Sequence, residues 1–287
     1  MDAQGQEYKD ALVAAKARDK AAGAKDKDVV GAALFGARAA SVDAPLKPWE
    51  IVNARKALVS AAARGDEELV KLLLCDLKAE DEPAFHDASS RGHEAAAGLL
   101  IQRGADDNAL NALVAASSSG HAGIAKLLLD HGADVNVGNP LKAAASSGHA
   151  GTVKLLLDHG ADLHVHGWEE GNLVSALTVA SSKGYQEVVE LLLLVQGVDL
   201  EIGHPLDLAS SAGHEGIVKL LLEKGADANA GDALQAASSK GYKAIVELLL
   251  DHGADIDDEG GYGTALQEAS SAGQTAIVKL LRDRGAV

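Results

Sequence analysis

An all-α stack of helix pairs is the fold this sequence predicts. Three observations point to it. A glycine returns at positions 65, 92, 120, 148, 184, 213, 241 and 273, mostly in steps of 27 to 29 residues. Each of these glycines separates a short Ala/Ser-rich run from a longer run of Val, Ile and Leu. Hydrophobic residues make up 47% of the chain, yet aromatic residues only 3%. An apolar core with so few rings must be filled by Leu, Val, Ile and Ala, which suits closely packed helices and argues against an aromatic-rich sandwich.

The order of elements follows from the repeat. Residues 1–56 read as an N-terminal helical cap with a connector. Ala11 to Asp19 echoes Ala57 to Gly65, and a second helix is expected over 28–40. This segment is either a divergent repeat or an unrelated helix pair. Pro45, Pro48 and Trp49 are expected to form an ordered connector, with Trp49 plugging the joint. Residues 57–287 then form one array of eight recognisable units. In each, a short first helix such as Leu234-Gln235-Ala236-Ala237-Ser238-Ser239-Lys240 is stopped by a glycine, here Gly241. Glycine ends helices because it accepts a left-handed backbone that other residues resist. A longer second helix follows, as in Ile245-Val246-Glu247-Leu248-Leu249-Leu250, and ends at Asp251-His252-Gly253. Neither helix can bury its apolar face alone. Stacking the pairs solves this, each pair touching its neighbours.

The residues now support a resemblance. Gly213-His214, then Ile217-Val218-Lys219-Leu220-Leu221-Leu222, then Gly225-Ala226-Asp227 resembles the ankyrin repeat. Ala265-Leu266-Gln267 with Ala269-Ser270-Ser271 is similar to ankyrin arrays common in fungal proteins. The resemblance covers about residues 57–287. It implies a solenoid whose concave face selects a partner. There are two departures. The Thr-Pro-Leu-His signature of the first helix is absent, with Thr264-Ala265-Leu266-Gln267 and Asn139-Pro140-Leu141-Lys142 in its place, so the hydrogen bonds it supplies must be lost or replaced. The step is mostly 28 residues rather than the family's 33 or so, so most β-hairpin fingers are expected to be cropped to tight turns.

Two steps break the spacing. Gly148 to Gly184 is 36 residues, and Gly241 to Gly273 is 32. The first makes an enlarged loop at 163–175. The second leaves a near-normal finger at 258–264. At the far end, Arg282 stands where inner units have a third leucine, the polar outer face expected of a terminal unit.

Composition excludes several functions. A net charge of −16 repels phosphate backbones, so nucleic acid is not an expected partner. The single cysteine, Cys75, allows no intrachain disulfide and suits a reducing compartment. No apolar stretch is long enough to span a membrane, and the charged N-terminus lacks a signal core. A cytoplasmic or nuclear monomer is the expectation. No phosphate loop, Cys/His zinc pattern or nucleophile motif appears, so no cofactor and no metal are expected.

Candidate site residues fall into three groups. The enlarged loop holds His164, His166, Trp168, Glu169 and Glu170. Two imidazoles and two carboxylates so close could transfer protons, and an indole is a favoured interface anchor. The second group is a row of serines, Ser90, Ser118, Ser146, Ser182, Ser211, Ser239 and Ser271. Seven nucleophiles make no catalytic sense, so these read as structure. The variable residue after each, such as Arg91, Lys183 and Lys240, reads as recognition. The third group is polar residues that do not repeat: His86, Asp87, His204, Asp207 and Glu268, with Tyr262 in the near-normal finger. Asp87 and Glu268 stand where the family has an apolar residue, a costly place for a carboxylate unless it faces the groove. By contrast His93, His121, His149 and His214 share one slot with Tyr185 and Tyr242, so those rings read as structural. His131, His159 and His252 end second helices, where imidazole caps carbonyls.

A protein- or peptide-binding scaffold is therefore the leading reading. The alternative is a small-molecule binder or cofactor-free enzyme with a pocket under the 163–175 loop, in which His86, Asp87 and the loop His and Glu residues would carry the chemistry. A third reading, a fragment of a larger ankyrin protein, is disfavoured by the polar last helix.

Overall fold

The structure is a computed structural model and describes residues 48–74, 82–102, 109–163, 167–169, 172–261 and 263–287. The described residues form sixteen helices in eight pairs and one short hairpin. Apart from the hairpin the described residues are all-α, one helix pair following another as the repeat predicts. Its internal contacts divide it into two compact units between Gly138 and Asn139.

The first unit contains three pairs. They are α1 (Pro48–Arg64) with α2 (Glu67–Leu73), α3 (Glu82–Arg91) with α4 (Glu94–Gln102), and α5 (Ala109–Ser118) with α6 (Ala122–Asp130). Pro48 and Trp49 are not the expected connector; they open α1. Proline suits a first helical position, where its missing N–H would have no partner anyway. Pro45, the N-terminal segment and Cys75 lie outside the described residues.

The second unit contains five pairs. They are α7 (Pro140–Ser146) with α8 (Ala150–Asp158), α9 (Ala176–Lys183) with α10 (Gln186–Leu192), α11 (Pro205–Ala212) with α12 (Glu215–Glu223), α13 (Ala233–Lys240) with α14 (Lys243–Asp251), and α15 (Ala265–Ser271) with α16 (Thr275–Asp283). Between α8 and α9 the enlarged loop folds into an antiparallel hairpin, β1 (Gly167–Glu169) with β2 (Asn172–Val174), in which Trp168 pairs with Leu173.

Within each unit, first helices pack on first helices and second on second. The first-helix contacts are the more extensive. They bury alanines such as Ala180, Ala209, Ala237 and Ala269, all 0% exposed, beside larger side chains such as Leu58, Phe85, Leu113 and Leu206, and the alanines let the backbones approach closely. The second helices bury Val188, Val189, Leu192, Ile217, Val218, Leu221, Val246 and Leu249.

The cropped fingers have a local cause. Gly203 (φ 71°) and His204 (φ 52°) are both left-handed, and Pro205 then starts α11. Two left-handed residues turn the chain straight into the helix and remove the need for a hairpin. Asn139 (φ 59°) does the same before Pro140, and its side chain accepts the amide of Lys142 at 3.2 Å. Asn and His tolerate this region better than most side chains.

The missing Thr-Pro-Leu-His bonds are replaced rather than lost. Thr264 and Gln267 form a reciprocal capping box. Ser175 caps α9 by accepting the Thr178 amide at 3.1 Å. Thr178 Oγ1 then donates to the Ile202 carbonyl at 2.8 Å, and Gln235 Nε2 to the Asp258 carbonyl at 3.0 Å. The last two bonds tie a first helix to the turn before the next pair.

Candidate recognition surface

The turn between the two helices of a pair is built by a glycine and a ring from different pairs. Gly184, Gly213 and Gly241 end their first helices with φ near 80°. The ring of the following pair lies flat over the glycine. A Cβ on Gly184 would come within 2.6 Å of His214, and one on Gly213 within 2.8 Å of Tyr242. The same fit joins Gly65 to His93 and Gly92 to His121 in the first unit, and Gly148 to Tyr185 in the second. The imidazoles also reach backwards. His93 Nε2 lies 3.1 Å from the Ala63 carbonyl, His121 Nε2 3.0 Å from Ser90 and His214 Nε2 3.2 Å from Ser182. In the last pair Gln274 fills the slot and donates to Ser239 at 3.3 Å. These side chains satisfy helix-end carbonyls, which a helix cannot satisfy itself. They are structural, as their exchange for Tyr implies.

The serine row is structural too. All seven hydroxyls donate to the carbonyl three residues back in their own helix, from Ser90 to Asp87 at 3.2 Å through Ser182 to Val179 at 3.0 Å to Ser271 and Glu268 at 3.0 Å. His131, His159 and His252 each lie 2.8 Å from a carbonyl four residues back, capping the second helices.

The exposed side chains left over on the first helices are the variable ones. Arg91 ends α3, Lys183 ends α9 and Lys240 ends α13, all exposed. Lys183 Nζ donates to the Ser146 carbonyl at 2.7 Å, across to α7. His86 and Asp87 are brought together, with Nδ1 and Oδ1 3.9 Å apart. Asp87 and Glu268 are only partly covered, so neither carboxylate meets the full desolvation cost expected at an apolar position.

Asp207 lies in the first turn of α11 and is only partly exposed. Burial pushes its carboxyl above the ordinary 3.8, the Asp232 carboxylate raises it further, and His204 opposes them. Its β-carbon faces the backbone of Gly231 in the turn that leads into α13. Thr178 and Gln235 hold the corresponding places on α9 and α13 and donate hydrogen bonds there. An ionised Asp207 has nothing to donate.

Of the enlarged-loop candidates, Trp168 and Glu169 lie on β1 by backbone position, and His164, His166 and Glu170 lie outside the described residues, as does Tyr262. Among the described residues no group of three or more His, Cys, Asp or Glu side chains is placed to hold a metal ion. No helix among them is long and apolar enough to cross a membrane.

One row of bonds was not anticipated. Glu201 accepts the Asp227 amide at 3.1 Å, Asn229 accepts the Asp255 amide at 2.7 Å, and Asp257 accepts the Val287 amide at 3.1 Å. The acceptor is always the second residue after the Asp of the Gly-Ala/Val-Asp turn. The signal in the sequence is a polar residue recurring at that offset.

The comparisons agree with this architecture. The family model for ankyrin repeats (3 copies) matches residues 58–139, 105–166, 165–232 and 206–287. No curated protein sequence matches the chain. Among solved structures, the crystal structure of the human ASB11 ankyrin repeat domain is similar, at 30% identity and a TM-score of 0.59. The match covers 69% of this chain and 96% of that one. With successive matches running from residue 58 to residue 287, the chain belongs to the ankyrin-repeat family.

Proposed function

We propose that this chain is a scaffold that binds protein or peptide partners through the exposed side chains of its first helices. Ankyrin repeats are generally protein-interaction scaffolds. The observation that supports this surface is a division within each first helix. The repeated serines are turned back onto their own carbonyls, while the neighbouring exposed position varies between Arg, Ser, Lys and Ala. Internal bonding of the constant residues leaves the variable ones to meet a partner. In such surfaces a few well-placed side chains set affinity.

A library of displayed protein fragments selected against the immobilised chain tests this. Binders should weaken when Arg91, Lys183 and Lys240 are changed together to alanine. They should hold when the exposed second-helix residues Lys219 and Lys243 are changed instead. Binders that map equally to the second helices would sink the assignment.

A further inference from the structure

We infer that the first-helix face of the second unit selects an acidic, extended peptide segment, with carboxylates spaced to reach Lys183 and Lys240. This rests on the scaffold reading and narrows it to one partner class. The starting observation is an uneven distribution of charge. On the five first helices of this unit stand three lysines, Lys142, Lys183 and Lys240, against two carboxylates, Asp207 and Glu268. The five second helices hold eight carboxylates against five cations. In a chain of net charge −16, the first helices of this unit are less acidic than its second helices, and burial further favours the neutral form of Asp207.

The geometry refines the class. Lys183, Ala212 and Lys240 close the neighbouring helices α9, α11 and α13 in the same register, each followed by a left-handed glycine. All three are exposed, and neither lysine makes an ion pair among the described residues. One turn back along the same faces lie Val179, Leu208 and Ala236, with Leu208 and Ala236 partly exposed. The serines between are occupied with their own helices. A segment crossing these helices therefore meets a cation, a small apolar floor, then a second cation. Packed helices lie about 8–10 Å apart, so the two lysines stand about 16–20 Å apart. An extended chain rises about 3.3 Å per residue, so its carboxylates should lie about five or six residues apart.

The ordinary explanation for a lysine in the last turn is that it complements the carbonyl end of the helix dipole. That role would apply equally to α11 and α15, which end in Ala212 and Ser271. The cations are instead placed on alternate helices.

The test uses random peptides displayed on phage, selected against the full chain. The expected pool is enriched in paired Asp or Glu about five or six residues apart, and its binding falls with added salt. The variant Lys183→Glu/Lys240→Glu should weaken these peptides about tenfold, the product of two exposed pairs. Lys183 also bonds the Ser146 carbonyl, so Lys240→Glu alone is measured alongside, with thermal unfolding as the control for folding. An enriched pool without acidic residues overturns this inference and leaves the scaffold reading standing. Acidic peptides indifferent to both variants overturn the placement on these lysines. A selection that enriches nothing at any first-helix face overturns the scaffold reading itself.

Discussion

The two helices of each pair divide the labour. Second helices bury large aliphatic side chains and lace their outer faces with ion pairs four residues apart, as in Lys126–Asp130 at 2.7 Å and Lys243–Glu247 at 3.4 Å. First helices bury alanine and serine beside their leucines, hold few charges in the second unit, and expose residues that change from pair to pair. The contrast teaches where each kind of selection acts. Burial scales with apolar area, about 25 cal/mol per Å², so both layers contribute cohesion, the second helices through side chains such as Leu192 and Ile217 and the first through Leu58, Phe85 and Leu206. The first helices add close backbone approach at their alanines, and present a surface that can vary without disturbing the core.

Truncating the second-helix side should produce the largest effect. Leu221 in α12 is 0% exposed. Leu221→Ala should cost about 2–5 kcal/mol in urea unfolding, the range for a buried leucine. A loss as small as that of a surface change would mean the second helices do not hold the stack together.

The junction between pairs should come next. Gly213 has φ of +83°, and a Cβ there would meet Tyr242 at 2.8 Å. Gly213→Ala should therefore cost more than the roughly 1–2 kcal/mol that a left-handed alanine pays by itself. Gly273 has φ of +73° and nothing within 4 Å of its Cβ position, so Gly273→Ala should show the backbone cost alone. Equal losses for the two would remove the ring from the account.

A smaller and opposite effect is expected inside the first helices. The hydroxyls of Ser89, Ser117, Ser181, Ser210 and Ser238 are buried and have no hydrogen-bond partner among the described residues. Alanine holds the equivalent slot at Ala62 and Ala145. Ser238→Ala should raise stability by about 1 kcal/mol, because it removes an unsatisfied buried group. A destabilised variant would show that this hydroxyl has a partner after all.

Asp207 gives a pH-dependent test of the same layer. Its folded carboxyl is held above the ordinary 3.8, so the folded state takes up its proton more readily than the unfolded chain. Its contribution to stability therefore falls as pH rises through the interval between the two values. The cost of the charge is fully present above the folded value and absent below 3.8. Asp207→Asn should flatten that part of the curve of urea midpoint against pH. A variant that tracks the parent across the whole carboxylate range would refute the assignment.

The smallest stability effect is expected at the recognition positions. Lys240 is exposed and makes no ion pair among the described residues, so Lys240→Glu should shift stability by less than about 0.5 kcal/mol. A large drop in melting temperature would make Lys240 structural and blur the division between the two helices.

Much of this was legible in the sequence because it is local. Gly184, Gly213 and Gly241 marked the helix ends. The seven serines bond within three residues of themselves, and His131, His159 and His252 within four, so spacing alone revealed their roles. The His/Tyr slot was legible for another reason: exchange between imidazole and phenol leaves packing as the shared property. What only the tertiary structure decided are contacts between pairs, whose partners lie some thirty residues apart along the chain. Which glycine each ring covers, how Thr178 and Gln235 replace the absent signature, and why the Asp207 carboxyl is held above its ordinary value all depend on the turn of the following pair. The helical start at Pro48 was missed because a lone proline reads as a break until the helix behind it is seen. The left-handed His204 escaped notice because nothing local distinguishes it from an ordinary cap before proline. Local spacing determined the repeat, whereas stacking decided what each repeated side chain touches, because a pair cannot bury its faces or satisfy its helix ends without its neighbour.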